Sequence, residues 1–175
     1  DLIPEKRLFG GVTTNNLSGQ RLDAHIDFNI DDRNMLHRRI NLLNYLNKEW
    51  KEAWGGAIEL HSDPYNSTTD ETASFLPLFN RAVIFETNEY SWHGFQRIAL
   101  PPDKQHISRH SFSIYLYTTD PPAEEVVAPH TPFYVPQPLP NNLRSGLTLT
   151  DEDTRELHNR PQGPHGLLHT HPTPL

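Results

Sequence analysis

Short segments in which apolar and polar residues alternate run through the first 120 residues of the chain. In RLDAHIDFN, residues 21–29, the even positions from 22 to 28 are apolar and positions 23, 25 and 27 are polar, as on the two faces of a strand. Five further segments are rich in the aromatic and β-branched residues typical of strands: 38–47, 54–62, 80–87, 90–98 and 110–119. Their spacing and their turn residues predict a mainly β sandwich or barrel with few helices.

The composition indicates one folded core of residues 1–120 followed by an extension of residues 121–175. The extension holds most of the 16 prolines and five of the 11 histidines of this 175-residue chain, so we expect it to be largely extended. One short helix is predicted at 150–159, where Thr150 and Asp153 form a capping-box pattern. We expect His165, His169 and His171 to belong to a flexible tail rather than to a second metal site.

Several classes of function are disfavoured by composition. The formal net charge is −7 without a basic stripe, which disfavours a nucleic-acid partner. No apolar run approaches 18 residues, so no membrane span is predicted. The chain has no cysteine, which excludes disulfides and thiolate metal sites. A cytoplasmic location is expected from this, although a chain beginning at Asp1 neither shows nor excludes a signal peptide.

Two His-x-Asp pairs are candidate metal ligands. Residues i and i+2 of a strand project from one face, about 6–7 Å apart along the chain, so both side chains can reach one ion. His25 and Asp27 lie within an alternating strand, whereas His61 and Asp63 run into an Asp-Pro turn. We therefore favour His25 and Asp27, with His93 in SWHGF as third ligand, which completes the two-histidine, one-carboxylate set of non-haem iron.

The sequence resembles the Fe(II)- and 2-oxoglutarate-dependent oxygenases, in particular their prolyl-4-hydroxylase-like branch. The resemblance rests on HID, on RRINLLNYLNKEWKEAWGGAIELH and on WHGF followed by SRHSFSIYLY, within residues 9–119. It implies a double-stranded β-helix (a cupin-like jelly roll) that binds Fe(II), 2-oxoglutarate and O2, with ascorbate as reductant. It assigns iron to His25, Asp27 and His93, and the 2-oxoglutarate C5 carboxylate to Arg109 and Tyr45. Leu43, Ile58 and Tyr115 are the remaining pocket residues that it implies.

The chain departs from the family pattern in ways that bear on substrate and boundaries. Members usually carry a further segment before LFGG, so either the chain is truncated or its numbering begins after that segment. Asn15 stands where a tyrosine is common, and an insertion makes Arg97 a rival to Arg109 by distance. Candidate substrate residues are Arg97, Arg38, Arg39 and Asn15, and candidates for orienting the ligands are Asn29, Asn41 and Ser91.

The expected reaction is hydroxylation of an unactivated C–H bond in a prolyl, peptidyl or small-molecule substrate, with release of succinate and CO2. Two alternatives stay open: a cupin-like metal enzyme that does not use 2-oxoglutarate, and a non-catalytic jelly-roll binding module. Mutation of Arg109 distinguishes the oxygenase from the cupin-like enzyme, because only the oxygenase should lose co-substrate binding. Mutation of His25 distinguishes both enzymes from the binding module, which should have no iron to lose. The sequence makes no prediction of oligomeric state.

Overall fold

The computed structural model describes residues 1–4, 13–31, 33–136 and 148–158. For residues 155–158 it describes the backbone alone. The chain divides into two units, Asp1–Val135 and Pro136–Leu175, and each is described by itself. The first unit is mainly β, as predicted, and extends beyond residue 120 because a strand at Phe133–Tyr134 joins one of its sheets.

Two antiparallel sheets make up the first unit. The first sheet contains β1 (Ile3–Pro4), β2 (Thr13–Asn16), β4 (Ile30–Asp31), β5 (Leu36–Tyr45), β8 (Ala82–Glu86) and β10 (Arg109–Thr118). The second has the order β11-β3-β9-β6-β7, from β11 (Phe133–Tyr134), β3 (Leu22–Ile26), β9 (Trp92–Phe95), β6 (Ile58–His61) and β7 (Thr72–Phe75). The predicted fold class is confirmed, and the two sheets are consistent with a jelly roll.

All six segments predicted as strands contain one, namely β3, β5, β6, β8, β9 and β10. The four-residue strand β7 is not among the predicted segments. All four of its residues are exposed, and the alternating stretch TASF is too short to stand out as a strand. It is held by its pairing with β6.

Two apolar clusters form the core of the first unit, and one of them joins the inner faces of the two sheets. One contains Tyr45 and Val83 from the first sheet and Ile58 from the second. The other contains Trp50, Trp54, Phe95, Ile98 and Leu100, with the two tryptophan rings edge-to-face at 5.7 Å. The first cluster packs the two sheets together, and the second packs the segments around Trp50 and Ile98 against β9.

A bulge in β3 changes the face on which Leu22 lies. Leu22 is paired with Phe95 and His25 with His93, so three residues of β3 span two of β9. Directly paired residues share a face. Leu22 therefore lies on the same face as His25, and the strict alternation predicted for this strand, with Leu22 opposite His25, is wrong at this point.

A second bulge lies in β5 and separates two consecutive arginines. Ile40 is paired with Leu116 and Arg38 with Tyr117, which leaves Arg39 as the extra residue. Between the bulge and the end of β5 at Tyr45, the side chains at positions 45, 43 and 41 point inward. The extra residue brings Arg38, rather than Arg39, to the inner face, where it is 3% exposed.

The second unit contains one described helix, α1 (Asp151–His158). Its first turn has a capping box: the Asp153 amide donates to Thr150 Oγ1 at 3.1 Å, and the Thr150 amide donates to Asp153 Oδ2 at 2.8 Å. His165, His169 and His171 lie outside the described residues. Within the described ranges, no helix is long and apolar enough to cross a membrane.

Gly94→Ala is expected to destabilise the fold, because a Cβ at Gly94 would lie 2.5 Å from the Leu22 carbonyl oxygen and 3.1 Å from the Ala24 nitrogen. These are backbone atoms of the β3 bulge and cannot move independently. We expect a loss of about 1–3 kcal/mol in the free energy of unfolding, measured by urea denaturation. Ser74→Ala, on exposed β7, is the control, and equal unfolding midpoints for the two variants would contradict the prediction.

Candidate active site

Three side chains between the sheets form a cluster with the ligand types of a metal site. His25 on β3 is paired with His93 on β9, and Asp27 follows β3 directly. Asp27 Oδ1 lies 3.7 Å from His25 Nε2, and Asp27 Oδ2 lies 3.5 Å from His93 Nε2. One potential ligand atom from each residue lies within 4.8 Å of the other two. A single ion could be held by all three.

Backbone carbonyls orient both imidazoles of the cluster. His25 Nδ1 lies 3.0 Å from the Asp23 carbonyl oxygen, and His93 Nδ1 lies 2.8 Å from the Ser91 carbonyl oxygen. Each Nδ1 is therefore the donor in the neutral ring, which leaves each Nε2 with a lone pair directed at the cluster. Burial lowers the pKa of His93 to about 4, and the adjacent His25 imidazole adds to this shift against the opposing effect of Asp27, so His93 is neutral at pH 7.

Asp27 is ionised and is held from the first sheet. Its Oδ2 lies 2.9 Å from an Nη of Arg38 and accepts a long hydrogen bond from Asn41 Nδ2 at 3.4 Å. Burial alone would raise the pKa of Asp27, but the Arg38 guanidinium, with smaller contributions from the two neighbouring imidazoles, holds it well below its usual range. Arg38 and Asn41 both contact Oδ2, which leaves Oδ1 the less engaged of the two oxygens.

Arg38 lies inside the sandwich, although the sequence suggested a substrate role at the mouth. Its guanidinium carbon is 3.4 Å from the centre of the Tyr115 ring and 4.6 Å from that of Phe28. Its Nε has no hydrogen-bond partner among the described residues. The Asp27 carboxylate and the two rings therefore supply the compensation that a buried cation needs.

A second buried cation, Arg109, lies at the start of β10. Its Nε donates to the Gly56 carbonyl oxygen at 2.7 Å, and one Nη donates to Tyr45 Oη at 3.1 Å. Its guanidinium carbon is 4.2 Å from the centre of the Phe95 ring. Burial lowers the pKa of Arg109, and the Tyr45 hydroxyl opposes that shift. No carboxylate pairs with Arg109 in the part of the chain that the structure describes.

The other predicted pocket residues are distributed over the same inner surface. Ile58 is 2% exposed and packs with Tyr45 in an apolar cluster that also includes Leu43. Tyr115 is paired with Asn41 and faces Arg38. Arg109 and Tyr45 therefore have apolar neighbours on one side, and Tyr115 lies between the sheets beside the Arg38–Asp27 pair.

Three predicted substrate residues lie away from the cluster. Arg39 forms an ion pair with Glu125, and Arg97 donates to the Gly19 carbonyl oxygen at 2.8 Å. Asn15 is exposed and is paired with His110 on β2 and β10. Arg38 is the only one of the four that the structure brings to the three ligand-type residues.

The alternative pair, His61 and Asp63, lies at the end of β6 and in the turn that follows it. His61 Nδ1 lies 2.7 Å from Asp70 Oδ2, and Asp63 caps the turn by accepting from the Tyr65 amide at 3.3 Å. His61 is paired with Trp92, one position away from His93, so it lies on the outer face. The structure therefore does not bring His61 to the cluster of His25, Asp27 and His93.

Tyr134 adjoins the cluster and was not among the predicted site residues. Its ring is stacked on that of His25, with centroids 4.8 Å apart and an interplanar angle of 18°. Burial and the nearby charges of Asp27 and Asp23 raise the pKa of Tyr134 to about 12, so the phenol is neutral. The sequence offered no signal for it, because a tyrosine between prolines in FYVPQP has no periodic context.

The Tyr45–Arg109 hydrogen bond predicts that Tyr45→Phe destabilises the protein. The substitution keeps the ring but removes the acceptor from a buried guanidinium, at a cost of about 1–3 kcal/mol in the free energy of unfolding. Chemical denaturation measures the loss, and Tyr90→Phe at a side chain that is 80% exposed is the matched control. A Tyr45→Phe protein as stable as this control would show that the bond adds nothing.

Comparison with known proteins identifies the family of this chain. A family model described as the 2OG-Fe(II) oxygenase superfamily matches residues 12–117. The chain is also similar to a solved prolyl 4-hydroxylase from Phytophthora capsici, with 22% identity, a TM-score of 0.45 and coverage of 61% of this chain. It spans 31% of the length of that structure. Because the family model covers more than half of the residues, this chain belongs to the 2OG-Fe(II) oxygenase superfamily.

Proposed function

We propose that the protein is an Fe(II)- and 2-oxoglutarate-dependent dioxygenase that hydroxylates an unactivated C–H bond. The superfamily uses Fe(II), 2-oxoglutarate and O2. The observation that carries the proposal is the presence of two complementary sites in one sandwich. One is a ligand-type cluster of two histidines and one aspartate, and the other is a buried arginine without a carboxylate partner among the described residues.

His25, Asp27 and His93 are the proposed iron ligands. The donor set fits Fe(II), because two neutral imidazoles and one carboxylate leave coordination positions open for a co-substrate and oxygen. The Asp23 and Ser91 carbonyls fix the two rings, and Arg38 holds the carboxylate. The retained Asp27 favours hydroxylation, since an anion from solution cannot take a position that the carboxylate occupies.

Arg109 and Tyr45 are the proposed partners of the 2-oxoglutarate C5 carboxylate. An isolated buried guanidinium is costly, and an entering carboxylate would supply the missing counter-charge. The neutral Tyr45 hydroxyl can donate to the same carboxylate, because burial raises its pKa against the effect of Arg109. Leu43, Ile58 and Tyr115 are the proposed walls of this pocket.

Bound iron would supply the chemistry of the reaction, in which O2 oxidises 2-oxoglutarate to succinate and CO2 and hydroxylates the substrate. The protein's part is to hold the ligands, anchor the co-substrate and exclude water. We propose a peptidyl, prolyl or small-molecule substrate and a place in the prolyl-4-hydroxylase-like branch. The support for that branch is the YLNKEW block and the arginine that begins the last long strand.

An anaerobic titration of the apo-protein with Fe(II) and then 2-oxoglutarate tests the proposal. The chelate has a weak visible charge-transfer band, which we expect in the wild type and not in Asp27→Ala. Arg109→Lys should bind iron normally and lower 2-oxoglutarate affinity at least about tenfold, because lysine cannot form the bidentate contact. His61→Ala, at the second His-x-Asp pair, is the matched control and should give the wild-type band.

Each of the other outcomes would contradict a different part of the proposed function. Iron binding without a band would favour a metal enzyme that does not use 2-oxoglutarate and would remove the role of Arg109. A folded protein that binds no iron would overturn the proposed function altogether. Loss of the band in His61→Ala, with His25→Ala unaffected, would show that the ligand pair is the wrong one.

A further inference from the structure

The chain that follows β10 returns to the cluster of His25, Asp27 and His93. The family model ends at residue 117. The connecting segment, residues 119–132, then leads to β11, which pairs with β3 in the register Tyr134 to His25. The Val135 amide donates to the Ala24 carbonyl oxygen at 2.8 Å and continues this pairing. The second sheet thus gains an edge strand on the side of His25.

Side chains from several elements anchor the connecting segment. Asn29 binds it twice: Nδ2 donates to the Ala128 carbonyl oxygen and Oδ1 accepts from the His130 amide, both at 2.9 Å. Two charged contacts add to this, Arg39 with Glu125 and Glu89 with His130 Nε2. The anchors come from β5, from the turn before β9 and from the loop after β3, so the segment is joined to both sheets.

The two residues of β11 face in opposite directions. Tyr134 shares the inner face with His25, because directly paired residues point the same way, and the two rings are stacked at 4.8 Å. Phe133 is paired with Ile26 and its ring stacks on His130 at 4.7 Å. One residue of the strand therefore reaches the metal-ligand cluster, while its neighbour packs against the connecting segment.

We propose that Tyr134 is a positioning residue for the metal centre, and that the connecting segment with β11 forms one wall of the active site. The inference rests on the proposed function, since it assigns to Tyr134 the orientation of a proposed iron ligand. It extends the functional unit beyond the residues that the family model covers.

The stacking of Tyr134 completes the restraint of the His25 ring. The Asp23 carbonyl holds Nδ1, and the His93 ring lies 4.4 Å away at a tilt of 44°. Neither contact covers the face of the imidazole on which Tyr134 lies. Without the phenol ring, His25 could rotate about its side-chain bonds, and water could reach the ligand from the edge of the sheet. Groups that orient a ligand in this way typically affect metal affinity by about 10–100-fold.

The test is an anaerobic Fe(II) titration of full-length variants, followed by 2-oxoglutarate, with Fe(II) affinity and the position of the charge-transfer band as readouts. Tyr134→Ala is expected to weaken Fe(II) binding about 10–100-fold and to shift the band. Tyr134→Phe keeps the ring and should behave as the wild type. Phe133→Leu is the matched control, since it changes the neighbouring ring on the opposite face of the same strand.

Hydrogen exchange at the Val135 amide shows whether β11 remains paired in each variant. If Tyr134→Ala loses this protection, Tyr134→Leu, which retains apolar bulk without a planar ring, replaces it in the comparison. Wild-type affinity and an unshifted band in a variant that keeps the pairing would overturn the inference while the proposed function stands. Equal losses in Tyr134→Phe and Tyr134→Ala would likewise overturn the stacking role. A wild type that binds no iron would instead overturn the proposed function, and the inference with it.

Discussion

Two buried arginines and one half-buried aspartate lie between the two sheets, and the need to compensate their charges governs the interior of this protein. Arg38 and Asp27 compensate each other across the gap between the sheets, at 2.9 Å. Arg109 has a carbonyl, a hydroxyl and an aromatic face around it, and among the described residues no carboxylate. A buried charge is stable only where such partners are fixed in advance. The two apolar clusters of the core therefore hold these polar groups in place as well as excluding water.

Much of this arrangement follows from local patterns in the sequence. Strands with one buried face alternate strongly, and for that reason the six main strands are recognisable. The i, i+2 spacing within a strand brings His25 and Asp27 to neighbouring positions. Arg109 was recognisable because it directly precedes an aromatic-rich strand. Joining His93 to the pair needed a hypothesis about which strands are neighbours. The β3–β9 pairing agrees with that hypothesis.

The features that the sequence did not reveal arise where the regular period is broken or absent. A bulge has no signature in the alternation that it interrupts, so Leu22 was assigned to the wrong face, and nothing distinguished Arg38 from Arg39. β7 is only four residues long and exposed along its length, so its alternation is too short to identify a strand. Tyr134 lies among prolines, and its neighbour His25 is more than one hundred residues away, so only the tertiary structure brings them together.

The bulge in β5 also bears on how chains of this kind can change in length. Arg39 is an unpaired residue between Arg38, paired with Tyr117, and Ile40, paired with Leu116. Loss of that one codon would turn the bulge into a regular ladder, with Arg38 still directed inward and Tyr45 still opposite Ser111. The residue lost would be the one that holds Glu125. A deletion at this position would thus remove one of the contacts that hold the connecting segment, while the contacts made by Asn29 and Glu89 and the pairing between β5 and β10 remain.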